Sequence, residues 1–281
     1  MSDYLTRFAP SPTGRLHLGH AASAFHVWQA ADRAGGQVLL RIEDIDQTRC
    51  RPEYTDGIFE DLSWLGFTWP GTPRIQSEHF ADYKKVVERL TELGLTYRCF
   101  RTRREMAEET EAAGLPADTP FTGRPLPAEL EAERLAGEAP FAWRLSLEKC
   151  RDYLGPAYHR MSYETLGLDG ARSVEKARPE LHGDINLTRK DAPTAYHVAC
   201  THDDALQGIT HVIRGTDLED AAHIHVLLQA LMGWPTPVYT HHPLIKGPDG
   251  KKLAKRFASK SLASLREDGL TPEDVKRLAG V

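Results

Sequence analysis

The sequence predicts an α/β fold built on a parallel sheet, and three observations carry the prediction. Residues 4 to 8 and 37 to 43 are short apolar runs of strand length, as expected for strands buried on both faces. Between them Leu18, Ala22, Phe25 and Trp28 recur at helical spacing, so strand, helix and strand form one crossover unit. Strand-like runs return at Thr194 to Cys200 and at Ile209 to Arg214 after a stretch of different composition. The sheet therefore resumes beyond an insertion, and the two halves make one fold.

The first strand runs into Pro10-Ser11-Pro12-Thr13-Gly14, a turn by its proline and glycine content, and a helix starts near Leu18. Unpaired N–H groups and the positive helix end favour an anion there. His17 and His20 can donate to the same phosphates, and Gly19 lets a nucleotide come close. An isolated pair of histidines three apart is more often an ordinary surface or core feature, or half of a zinc site. Here no nearby cysteine or acid completes a metal set and a phosphate-type turn precedes the pair, which favours the anion reading.

Ile58, Leu62 and Leu65 mark a helix stopped by Gly66, and Phe80, Tyr83, Val87, Leu90 and Leu93 mark another stopped by Gly94, since glycine tolerates the left-handed cap. From 98 to 184 the pattern changes. Thr102-Arg103-Arg104-Glu105 is a capping box opening an Ala/Glu-rich helix, and a Pro/Gly-rich stretch follows at 114 to 127, which together read as a looser, inserted mixed α/β subdomain. Thr216-Asp217-Leu218-Glu219 reads as the cap of a helix rich in Leu and Ala. The expected organisation is a first half-domain at 1–97, an insertion at 98–184, a second half-domain at 185–245, and a basic loop with a short helical tail at 246–281.

At 281 residues the chain suffices for one large domain with an insertion and a sizeable core. Hydrophobic residues make up 41% and mean hydropathy is -0.45, which describes a globular chain with no apolar run long enough to span a membrane. Met1-Ser2-Asp3-Tyr4 lacks a signal-peptide pattern, so a cytoplasmic location is expected; the chain is also expected to be a monomer. Cys50, Cys99, Cys150 and Cys200 are widely spaced and read as reduced thiols. A net charge of -5 argues against binding polyanions over the whole surface and confines such contacts to local patches. One patch is Lys246 to Lys260, where Lys251, Lys252, Lys255 and Arg256 meet a single acid, Asp249; another is Arg98, Arg101, Arg103 and Arg104, which reads equally well as a solvated face.

Five ordered runs carry a family resemblance: Arg7 to His20, Leu40 to Arg49, Ala195 to Ala199, Val212 to Leu218, and Lys252-Leu253-Ala254-Lys255-Arg256. They resemble the class I aminoacyl-tRNA synthetases, most closely the glutamate-specific branch, over about residues 5 to 260. The resemblance implies a Rossmann-like catalytic domain whose insertion at 98–184 is similar to an acceptor-binding subdomain. Arg256 lies too near the last residue, Val281, for an anticodon-reading domain of about 50–200 residues. On that ground the chain is similar to the glutamyl-queuosine tRNA(Asp) synthetases, a truncated branch with no anticodon-binding domain. Members attach glutamate to queuosine at the wobble position.

That resemblance implies ATP and Mg²⁺, L-glutamate, and the queuosine-bearing anticodon loop of tRNA(Asp) as ligands and partners. It implies activation of glutamate as glutamyl-adenylate, then transfer to a hydroxyl of the cyclopentene ring, with catalysis by positioning and charge stabilisation. His17, His20 and Lys255 are the expected catalytic groups. ATP is expected on His17, Gly19, His20, Lys252 and Lys255, in a Gly-flanked loop able to close over the triphosphate. Ala254 and Arg256 stand where the family motif carries serines. Glutamate is expected on Arg7, Ala9, Ser11, Glu43, Tyr196 and Arg214. The arginines would take the side-chain carboxylate, Glu43 the ammonium, and Ser11 and Tyr196 neutral hydrogen bonds. The plainer alternatives are an Arg7–Glu43 pair at adjacent strand ends and Tyr196 as a sheet aromatic. Asp217 is a further candidate, or equally a helix cap.

Relatives often carry zinc in the insertion, but Cys99 is followed by Phe100 and Arg101, and the next cysteine is Cys150. No zinc is therefore expected. His223 with His225, and His241 with His242, lack ligand-spaced acids or cysteines and read as structural or nucleotide-adjacent. Two other readings stay open: a minimal glutamyl-tRNA synthetase charging a 3′ end, and a catalytically silent tRNA-binding paralogue.

Overall fold

A computed structural model describes residues 3–245 and 260–281. The opening unit is as its sequence dictates: β1 (Leu5–Phe8), α1 (Leu18–Ala34) and β2 (Gln37–Ile42), with β1 and β2 parallel from Leu5↔Gln37 to Phe8↔Leu40. Gly35 ends α1 at φ 62, where a side chain would be strained. Helix α2 (Pro52–Trp64) leads to the short β3 (Arg74–Ile75), parallel to β2. Helix α3 (Phe80–Glu92) follows and buries Tyr83, Val86, Val87 and Leu90.

The span 98–184 divides in two. Strands β4 (Thr96–Cys99) and β5 (Ala142–Leu145) pair antiparallel, and α4 (Arg103–Ala112) and α5 (Ala128–Ala136) between them bury no residue. Thr102 and Glu105 form the expected capping box. After α6 (Leu147–Leu154), β6 (Ser162–Leu166) and β7 (Arg172–Lys176) form a hairpin that joins the main sheet rather than the insertion.

Two sequence expectations fail here. Residues 196–200 are helical, not extended: α7 spans Tyr196–Leu206. Thr194, Tyr196 and Val198 are strand-type residues, but Val198, Ala199, Cys200 and Thr201 are all buried, as are Asp203 and Asp204, a consecutive run that the two-residue alternation of a half-buried strand does not give. Thr216 does not cap the next helix. Residues 216–218 form a separate 3-10 turn ahead of α8 (Ala221–Met232), whose N-cap, Asp220, has helical backbone angles and no side-chain cap bond.

Strand β8 (His211–Gly215) pairs in parallel with β9 (Val238–His242), and β9 continues to β6 at Tyr239↔Thr165. Thr210 N donates to Leu5 O at 2.9 Å, which sets β8 beside β1. Val212 belongs to the core of α3, α7 and α8, whereas Ile213 belongs to that of α1, α2 and the tail. Adjacent residues of one strand thus feed opposite layers, the mark of a sheet covered on both faces. The tail is α9 (Leu262–Glu267) and α10 (Pro272–Ala279); Val275 and Ala279 join the α1 side of the core.

Candidate active site

Neighbouring strands β1 and β8 are reached by connections that leave in opposite directions. The crevice at their C-terminal ends is the ligand position of open α/β sheets. A cleft of about 530 Å³ opens there, and Arg7, Ala9, Ser11, His17, Gly19, His20, Glu43, Tyr196, Arg214 and Asp217 all line it. Lys252 and Lys255 lie outside the described residues. The chain on either side of them reaches the cleft, since Leu244 lines it and Ser261 bridges His17, with Leu262 N donating to Leu16 O at 2.8 Å.

The histidine pair caps α1. Gly19 N donates to His17 Nδ1 at 3.0 Å, and His17 N donates to His20 Nδ1 at 3.2 Å, a capping box built from imidazoles. Both Nδ1 atoms accept, so each neutral ring carries its proton on Nε2. Burial lowers the His17 pKa, and burial with the neighbouring His17 lowers that of His20 to about 4. Both are thus neutral donors at pH 7. A Cβ on Gly19 would come within 2.8 Å of His17 Cε1, so glycine is required for this ring placement.

The arginines differ. Arg7 is buried and already partnered: Nε donates to Asp204 Oδ1 at 2.9 Å. Arg41, fully buried, donates from Nη2 to the same oxygen at 2.8 Å and to Glu43 Oε1 at 3.2 Å. Glu43 thus pairs with Arg41 rather than Arg7, because residues two apart on a strand share a face. Burial is the largest single effect and works against the charge on Arg7 and Arg41, but Asp204, Glu43 and the Cys200 thiol together more than offset it, and both guanidinium pKa values end above the ordinary value. Burial raises the Glu43 carboxyl, with Arg41 and Arg7 only partly opposing.

Arg214 is different in kind. It is 4% exposed, and among the described residues no carboxylate pairs with it. Nε donates to His241 Nε2 at 3.3 Å, Nη1 faces His225 Nδ1 at 3.4 Å, and the guanidinium lies 5.2 Å from the Tyr239 ring centre. Among the described residues its buried Nη2 has no hydrogen-bond partner. Tyr196 enters from the N-terminus of α7, not from a strand end, and burial raises its hydroxyl pKa, keeping it a donor. Asp217 is exposed at the rim in the 3-10 turn.

Sequence reasoning missed Arg41 and Asp204, and with them the neutralisation of Arg7. The available signal was helical spacing: Tyr196, Cys200 and Asp204 stand four apart, which puts all three on one face once the segment is a helix. Among the described residues no group of three or more His, Cys, Asp or Glu side chains is arranged to hold a metal ion.

A nucleotide-type cleft at the switch point of a parallel sheet, entered by a histidine-capped helix and floored by buried arginines, defines a class I synthetase catalytic core. The family model for tRNA synthetases class I (E and Q), catalytic domain, matches residues 4–279, and the chain belongs to that family. It is 40% identical to the glutamyl-Q tRNA(Asp) synthetase of Rhodobacter capsulatus, across 99% of this chain and 100% of that one. It is 38% identical to the glutamate–tRNA ligase of Coprothermobacter proteolyticus, over 95% of this chain and 56% of the relative. The structure of a glutamate tRNA ligase from Elizabethkingia meningosepticum in complex with its amino acid superposes with a TM-score of 0.71 at 30% identity. That match covers 92% of this chain and 53% of the other, so this chain spans about half the length of that protein.

Proposed function

We propose that the protein activates L-glutamate with ATP and transfers the glutamyl group to queuosine at the wobble position of tRNA(Asp). The observation that carries the amino-acid assignment is Arg214, a buried cation that lines the cleft and has, among the described residues, no carboxylate partner and no hydrogen-bond partner for its buried Nη2. A buried charge in that state calls for an anion from the ligand, and the glutamate side-chain carboxylate supplies one. Arg7 adds positive potential, although Asp204 holds its Nε. Glu43 receives the α-ammonium, whose charge favours the ionised form that burial opposes. Ser11 and Tyr196 add hydrogen bonds, and Ala9 shapes the wall.

In the first step a carboxylate oxygen of glutamate attacks the α-phosphorus of ATP, forming the acyl–phosphate bond as pyrophosphate leaves. No protein nucleophile is needed. His17 and His20 donate from Nε2 to the phosphates, Gly19 leaves room for them, and Lys252 and Lys255 bring positive charge from the C-terminal side. Mg²⁺ bound together with ATP would neutralise part of the phosphate charge, its usual role with nucleotides. In the second step a ring hydroxyl of queuosine attacks the acyl carbon, AMP departs, and the hydroxyl proton is released.

The end-to-end likeness to the relative named glutamyl-Q tRNA(Asp) synthetase supports queuosine as acceptor. The test is transfer of labelled glutamate to tRNA(Asp) with and without queuosine, in ATP and Mg²⁺. Labelling confined to the queuosine-bearing tRNA is expected. Labelling of tRNA(Glu) instead would replace this reading with 3′-end charging, and absence of glutamate-dependent ATP–pyrophosphate exchange would overturn both.

A further inference from the structure

The geometry points to His225 and His241 as positioning residues that hold Arg214 through neutral ring nitrogens and thereby set selectivity for a carboxylate over an amide. This rests on the reading that Arg214 receives the glutamate side chain.

A guanidinium can only donate hydrogen bonds. His241 Nε2 at 3.3 Å from Arg214 Nε is therefore the acceptor, and the His241 proton sits on Nδ1. His225 Nδ1, 3.4 Å from Arg214 Nη1, accepts likewise, so its proton is on Nε2 and points to His197 Nδ1 at 3.2 Å. The tautomers of three rings on α7, α8 and β9 thus follow from one cation. Tyr239 closes the stacking face of the guanidinium. What remains is Nη2, buried and without a partner among the described residues.

Histidine suits this task better than the usual acid. An Asp or Glu at either position would neutralise Arg214 as Asp204 neutralises Arg7, and an incoming carboxylate would meet no net charge. A neutral imidazole fixes the orientation and leaves the charge for the ligand. The surroundings keep the rings neutral. His225 is buried and faces Arg214, His197, Arg7 and His182, which hold its pKa well below the ordinary value. Burial, Arg214, His242 and His223 lower His241 to about 4. Selectivity follows from the same arrangement: with both acceptor nitrogens engaged by Arg214, a glutamine side-chain NH₂ meets donors and finds no acceptor on the clamp.

The test is glutamate-dependent ATP–pyrophosphate exchange with His225→Leu, His241→Leu and the acceptor-retaining His225→Gln and His241→Gln. Losing a hydrogen bond to a charged group predicts a rise of roughly 10- to 100-fold in glutamate KM for the leucine variants. The ATP KM should stay near wild type, kcat should fall far less than KM rises, and preference for glutamate over glutamine should narrow. Glutamine variants should restore most of the glutamate KM, a rescue that a purely structural role would not produce. Should a leucine variant fail to fold, His241→Gln alone decides, and a tenfold rise in its glutamate KM overturns the clamp. Leucine variants with wild-type glutamate KM, or equal losses for ATP and glutamate, also overturn it while leaving the proposed function standing. Wild-type exchange that ignores glutamate would sink both.

Discussion

Replacing Asp204 by asparagine is a direct test of the charge balance beneath the cleft. The Oδ1 atom of Asp204 accepts from Arg7 Nε at 2.9 Å and Arg41 Nη2 at 2.8 Å, and both guanidinium groups are buried, with side chains 6% and 0% exposed. Asparagine keeps the shape and removes the charge. Arg41 then keeps Glu43 while Arg7 loses its ion-pair partner, and removal of one partner from a buried ion pair costs about 3–5 kcal/mol. For a chain of this size that corresponds to a melting temperature lower by roughly 6–20 °C. Urea denaturation at pH 7 measures the loss directly. Arg41→Met in the Asp204→Asn background leaves one arginine and one carboxylate, so the double variant should recover much of the stability. A loss below about 1 kcal/mol for Asp204→Asn, in the range of an exposed pair, would refute the reasoning. So would a double variant whose loss equals the sum of the single losses, since coupled sites are not additive.

Three other outcomes follow from the same physics. Asp61, fully buried on α2, has among the described residues no hydrogen bond to either carboxylate oxygen, and Arg266 comes no nearer than 4.0 Å. Burial, with Arg266 and Arg15 opposing, raises its pKa to about 6, so its charged form costs stability as pH rises from 4 through 6. Asp61→Ala should therefore stabilise at pH 7 by about 1–2 kcal/mol after solvent screening, with little gain at pH 4; destabilisation at pH 7 would show that the Arg266 contact dominates. Burial foremost depresses His20, His26, His197 and His241 to about 4. The unfolded chain then binds more protons between pH 6.5 and 4, and urea midpoints should fall as pH drops through that window. In the Asp61→Ala background that fall should persist, and a flat profile there would contradict the neutral-histidine assignment. Lys255→Ala should abolish adenylate formation with an unchanged melting temperature; normal ATP–pyrophosphate exchange would remove Lys255 from the mechanism.

The opening crossover unit was legible in the sequence because its determinants are local: apolar strand runs, a helical stripe, a Pro/Gly turn and a glycine cap. The residues named for ligand contact from β1, the histidine turn, β2 and β8 do meet around one cleft, since parallel strands deliver their C-terminal ends to a common edge. The segment from Thr194 deceived because Thr194, Tyr196 and Val198 are strand-type residues, and only the packing of α7 against α3 and α8 makes it a helix. Tertiary structure also decided which arginine is neutralised. Asp204 and Arg7 stand 197 residues apart in sequence, and no periodicity announces a contact of that separation. The hold of His225 and His241 on Arg214 is likewise set by where α8 and β9 come to rest beside β8. Local chemistry told the chain where to turn and what kind of ligand to expect. The state of each charge in the cleft was settled only when distant elements supplied, or withheld, its counter-ion.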